Sequence, residues 1–170
     1  MLSDRFLLNI LSALRQIRHV TFLRIHTRIP SALPQRITPA LAKSLSAFHP
    51  LFINIHVNHP AEITPRCAAA CALLADAGIP LGSQTVLLRG VNDDPEVLGQ
   101  LMQGLLAIRV RPYYIHQLDR MPGTGHFQVP LDRAIDVIAA LRGPLPGMAV
   151  PHFMIDLPGG GGKAAISPEA

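Results

Sequence analysis

Cysteine is scarce, with two in 170 residues, and tryptophan is absent. Two thiols cannot build the disulfide framework of a small secreted domain. No apolar run approaches the roughly 20 residues a membrane helix needs. The opening MLSDRFLLNILSALRQ carries Asp4 and Arg5 and has no small-residue cleavage site behind a short apolar core. A soluble, cytoplasmic protein without a membrane partner is therefore the expectation. Charge is also sparse, 15% of residues against about 25% in an ordinary domain. Either a compact enzyme with much buried sheet or a surface that normally faces other protein would account for that deficit. The 16 prolines and 13 glycines stay below a low-complexity share, and the apolar content excludes a disordered chain.

What is present suits one domain, since a chain of this length buries roughly 69% of its accessible surface. The formal charge of +4 would suit an anionic cofactor. Lysines and arginines are scattered singly, however, with no basic stripe, so nucleic acid is not an expected partner. Along the chain, helical and strand periodicities alternate. Ser3 or Asp4 caps a helix to about Ile17, and His19 to Thr27 reads as a strand. A proline-bearing loop, Arg28 to Thr38, is expected to be irregular. Thr38 caps a helix to about Ala47. Leu51 to Val57 is a second strand, Thr64 to Ala77 a helix closed by Gly78, and Pro80 to Leu88 a third strand. A helix from Asp93 or Asp94 to about Ile108, a strand from Val110 to Leu118, a helix from Pro130 to Leu141 and a strand from Met148 to Ile155 complete the pattern.

Strands separated by single helices mean parallel βαβ units. His26, His56, Gln84, Asp119 and Asp156 each fall at or near the C-terminal end of a different strand. One polar group per strand at a common end fits a barrel mouth better than a crevice at one switch point, although capping residues that open loops would give a similar pattern. The segment PGGGGK, Pro158 to Lys163, lets backbone approach a ligand with no Cβ in the way. It is not a P-loop, which would need glycine where Leu157 stands and Ser or Thr where Ala164 stands. A flexible linker is the plainer reading of such a run.

Taken together, LRIHTRIPSALPQRIT (23–38), INIHVNHPAEIT (53–64), AGIPLGSQTVLLRGVND (77–93), VRPYYIHQLD (110–119) and AVPHFMIDLPGGGGK (149–163) resemble the C-terminal half of the lysine 2,3-aminomutases. That resemblance implies the fold class: α/β, the C-terminal portion of a partial parallel (β/α) barrel of the radical S-adenosylmethionine, TIM-like type, over residues 1–163, with 164–170 as a tail. It implies an isomerase that interconverts L-lysine and β-lysine with pyridoxal phosphate, S-adenosylmethionine and a [4Fe–4S] cluster. Carried over by position, Lys163 is the catalytic lysine that holds pyridoxal phosphate, and Gly159, Gly160, Gly161 and Gly162 are its glycine run. Asp119 and Asp156 bind the substrate side-chain ammonium, and His56 and Gln84 line the S-adenosylmethionine pocket.

The departures matter too. Cys67 and Cys71 supply C-x-x-x-C, the first part of the family's CxxxCxxC cluster motif, but Leu74 stands where the third thiolate would be. Both are expected to be core cysteines, and no residue of this chain is expected to ligate metal. The resemblance starts midway through the family's length. The expectation is a truncated product or one piece of a split enzyme, inactive without the missing N-terminal half of the barrel, which would be its partner beside a possible homo-oligomer. His116 stands where many aminomutases carry tyrosine, and YYIHQLDRMPGTGHF resembles the branch that makes β-lysine for elongation factor P. A noncatalytic remnant that at most binds pyridoxal phosphate is the remaining alternative.

Overall fold

The computed structural model describes residues 2–119 and 121–166. Among the described residues six helices and six strands follow one another, alternating except for the α2–α3 pair and the β5–β6 hairpin: α1 (Asp4–Arg15), β1 (Leu23–Thr27), α2 (Ile29–Ala32), α3 (Pro39–Ser46), β2 (Leu51–His56), α4 (Pro65–Asp76), β3 (Leu81–Leu87), α5 (Pro95–Ala107), β4 (Arg111–Gln117), α6 (Leu131–Ala140), β5 (His152–Asp156) and β6 (Lys163–Ala165). Three helices open on the same two-residue device. Thr38, Thr64 and Asp94 accept hydrogen bonds from the first turns of α3, α4 and α5, and Pro39, Pro65 and Pro95 follow, where a missing N–H is harmless. Thr64→Ala should therefore cost about 1 kcal/mol and lower the melting temperature by roughly 2–4 °C, readable by thermal denaturation.

Strand order in the sheet is β1-β2-β3-β4-β5-β6, parallel through β5, with β6 antiparallel to β5. The order decides between the two parallel architectures. A doubly wound sheet reverses at a switch point, whereas strands added always on the same side by right-handed crossovers place every crossover helix on one face. The outcome is a barrel-type segment, as expected. Leu51, Ile53, Ile55, Leu81, Leu87, Ile115 and Phe153 turn to the helices and meet Leu41, Leu45, Leu74, Leu98, Leu101 and Leu105 in the core. Cys67 and Cys71 lie fully buried in that same core. The alternate strand residues line the opposite, open face.

The ladder has one irregularity. Ser83 pairs with Pro112 but Gln84 pairs with Tyr114, so Tyr113 is an extra residue in β4. Tyr113 and Tyr114 stack with ring centroids 3.9 Å apart, and the Tyr113 hydroxyl donates to that of Tyr114 at 3.0 Å.

Four expectations are corrected. β1 begins at Leu23 rather than His19, because its partner β2 begins at Leu51, in register with Leu23, and earlier residues have no ladder to join. β5 begins at His152 rather than Met148, after a 3-10 turn at Gly147–Ala149. The loop from Arg28 to Thr38 holds α2 and a 3-10 turn at Pro34–Arg36, with each proline in the first turn of its segment, the position that tolerates it. Ala164 and Ala165, placed in a tail, belong to β6, and the last residues of that tail, 167–170, lie outside the described residues.

Candidate functional site

The open face carries the polar residues of successive strands in cross-strand rows. Toward the C-terminal end, His56, Gln84, Tyr114 and His152 stand in register across β2 to β5. One pleat further, Val86, His116, Met154 and Ala165 align, and beyond them Asp156 faces Lys163 across the β5–β6 hairpin. His26 Nδ1 lies 2.9 Å from Gln84 Oε1, although the two residues sit two strands apart. Their side chains converge over β2, which gathers β1 and β3 toward a common mouth.

The hairpin carries the strongest polar contact of this mouth. Lys163 Nζ donates to both oxygens of Asp156, at 2.7 and 2.8 Å. Its turn closes with Leu157 N–H on the carbonyl of Gly162, at 2.8 Å, and Gly159, Gly160 and Gly162 adopt φ of +73°, +82° and +79°. Those values are costly for residues with a Cβ, which is why the run is glycine. Nothing lies within 4 Å of where a Cβ would stand at any of the three, so the turn also leaves an open surface beside the lysine. The other lysine, Lys43, sits on α3.

Asp119 follows β4 by two residues and Asp156 ends β5, so the two expected carboxylates extend from neighbouring strands. Asp156 is engaged by Lys163. His116, one pleat before the end of β4, feels the charges of these groups. Burial pushes its pKa below the ordinary histidine value and the Lys163 ammonium adds to that, while Asp156 and Asp119 oppose it. His56 is likewise held low, by burial and then by the Arg28 guanidinium. Both rings are therefore neutral at pH 7. His56 Nε2 lies 2.9 Å from Asn58 Oδ1.

Other sequence candidates do not join this site. Cys67 and Cys71 are on α4, behind the sheet, and the hydrogen bond between them together with burial pushes the Cys71 thiol up. Among the described residues no three His, Cys, Asp or Glu side chains are grouped to hold a metal. Sequence reasoning passed over Asn58 and His152, and noted His116 only as a departure. The signal for His116 and His152 was the period of two along β4 and β5, obscured by the extra Tyr113. At the opposite end of the strands a groove of about 490 Å³ is lined by Phe22, Arg24, Phe52, Asn54, Arg111 and Tyr113, away from the Lys163 hairpin.

Comparison with known proteins falls on the same residues. A family model described as lysine-2,3-aminomutase matches residues 138–170, which contain β5, the glycine turn and Lys163. The L-lysine 2,3-aminomutases of Fusobacterium nucleatum and Clostridium subterminale are 50% and 51% identical to this chain, over 99% of it and 40% of their own length. A glutamate 2,3-aminomutase of Clostridioides difficile is 46% identical over the same shares. The chain thus spans about 40% of the length of these relatives. Among solved structures, a radical SAM methyltransferase from Sphaerobacter thermophilus matches with a TM-score of 0.53 at 16% identity, covering 70% of this chain and 38% of that one, a likeness of fold. With half of its residues shared along nearly all of its length, the chain is similar to the C-terminal part of the L-lysine 2,3-aminomutases.

Proposed function

We propose that this chain is the part of a radical S-adenosylmethionine aminomutase that holds pyridoxal phosphate and the substrate side chain while L-lysine and β-lysine interconvert. The observation that carries the reading is the bidentate grip of Asp156 on Lys163 beside the glycine turn. A carboxylate that already clasps one lysine ammonium has the geometry to clasp another. With pyridoxal phosphate held at Lys163, Asp156 would be free to accept a substrate ammonium, with Asp119 on the neighbouring strand as the second carboxylate.

Whether the residues fit each group follows from the geometry above. Pyridoxal phosphate fits: Lys163 offers its amine, and the left-handed glycines leave an open backbone surface for a phosphate. When bound, it supplies a carbonyl for amine exchange and a conjugated ring that delocalises an unpaired electron during nitrogen migration. Lys163 holds the group in place, Asp156 and Asp119 orient the far end of the substrate, and neutral His116 sets the polarity between them. His56 and Gln84, in register on β2 and β3, form the side of the mouth toward S-adenosylmethionine. A [4Fe–4S] cluster does not fit this chain. It needs three thiolates, and the two available are buried behind the sheet. We assign the cluster to residues outside this chain.

The glutamate aminomutase among the relatives raises a second substrate. Two carboxylates on neighbouring strands at this mouth disfavour it, since a third would be repelled by both. Incubating the intact protein with pyridoxal phosphate, reducing with borohydride and mapping peptides should place the adduct on Lys163. Equal labelling of Lys43 would overturn the site.

A further inference from the structure

The polar cluster behind His56 has a task that the proposed chemistry does not use. Asn58 Oδ1 accepts a hydrogen bond from the backbone N–H of Val86 at 3.0 Å. A backbone N–H can only donate, so that atom of the amide is fixed as oxygen. His56 Nε2, 2.9 Å from the same oxygen, must therefore carry a proton. The Asn58 backbone is clamped from two sides, and one of those clamps is itself held by Arg28. Asn58 N–H donates to Glu62 Oε1 at 2.7 Å, Asn92 Nδ2 donates to the Asn58 carbonyl at 2.7 Å, and Glu62 Oε2 is held by Arg28 at 3.2 Å. His56 Nδ1 has no hydrogen bond within the described residues.

We propose that Asn58 is a positioning residue that locks the His56 ring in the Nε2–H tautomer, so that Nδ1 stands ready to accept a hydrogen bond from a ligand. The ligand group it takes is a donor, a hydroxyl or an ammonium, and a carbonyl or carboxylate is refused. Only this ligand clause rests on the proposed S-adenosylmethionine pocket. The tautomer does not. The charged groups around the ring are Arg28 and Glu62, the other titratable neighbour is the neutral His116, and burial and Arg28 together hold the His56 pKa below the ordinary histidine value.

The test is imidazole nitrogen NMR on the intact protein labelled with ¹⁵N-histidine. His56 should show one tautomer, with a slowly exchanging Nε2 proton close to the Val86 N–H. In Asn58→Asp the carboxylate accepts the same two hydrogen bonds, so the tautomer should persist while the His56 pKa rises by about one to three units. In Asn58→Ala the slow proton should vanish and the ring nitrogens should average. Should the alanine variant fail to fold, the aspartate variant decides alone. An Nδ1–H ring in the unmodified protein, or a pKa rise below about half a unit in Asn58→Asp, overturns the proposal. S-adenosylmethionine titrated into the same sample should shift the Nδ1 resonance. If the tautomer is as expected and S-adenosylmethionine leaves Nδ1 unmoved, the pocket reading fails and the lock stands.

Discussion

Asp156→Asn in the intact enzyme should lower kcat/KM for L-lysine by roughly two to three orders of magnitude. The carboxylate meets an ammonium through two charge-assisted hydrogen bonds, and removing one member of such a pair typically costs about 2–5 kcal/mol, with about 1.4 kcal/mol for each factor of ten. The fold should barely notice. Asp156 and Lys163 are 40% and 43% exposed, and a pair so open to water contributes little to stability. The variant should therefore melt within a few degrees of the unmodified protein while losing turnover, and that separation distinguishes a substrate contact from a structural one. Glutamate is the control, and its use should not fall in parallel. If Asp156→Asn and Asp119→Asn both leave lysine turnover within a factor of about three, the substrate assignment is wrong, even if borohydride still places the cofactor on Lys163.

Asn92→Ala should be among the most damaging single changes to the fold. Asn92 is fully buried and stitches the ends of β2 and β3 to the loop beyond them. Its Nδ2 donates to the carbonyls of Asn58 and Val86 at 2.7 and 2.9 Å, and its Oδ1 accepts from Leu88 N–H at 2.7 Å. Alanine would leave three part-buried backbone groups without their partner, each costing about 1 kcal/mol or more, so a loss of about 3 kcal/mol is expected. In urea the midpoint should fall with the slope unchanged. Asn92→Asp keeps the acceptor but turns a second oxygen toward two carbonyls, and should be no milder. A midpoint within the error of the unmodified protein would show that water replaces the side chain without cost.

The framework was legible where one physical rule acted alone. β2, β3 and β4 begin and end within a residue of their expected bounds, because runs such as LFINIH and LGSQTVL have β-branched content and clear stops. The caps at Ser3, Thr38, Thr64 and Asp94 were readable for the same reason. Errors arose where a partner elsewhere in the chain decides. The start of β1 depends on where β2 begins. β6 depends on β5, and its three residues follow a glycine run that reads locally as a linker. For the site, Lys163 and Asp156 could be named from their motif, but not that they bind each other, since that contact exists only once the hairpin folds back. The lock on His56 was invisible because Asn58 is polar, ordinary in sequence and significant only through Val86 and Asn92, 28 and 34 residues further along.

The doubled tyrosine of β4 has a consequence for parity. Before it, Arg111 and Tyr113 point to the open side, and an unbroken alternation would continue with Ile115 and Gln117. One surplus residue resets the phase, so Ile115 and Gln117 are buried against the helices while Tyr114 and His116 take the mouth. What the surplus residue supplies is thus a second ring on the open face, with the residues beyond it kept on their sides. Exchanging a tyrosine for another residue leaves the count intact. Deleting one would leave a plain alternation in which Ile115 still packs against the helices and His116 still faces the mouth, so the strand that leads to Asp119 would keep its sides and lose only the stacked ring.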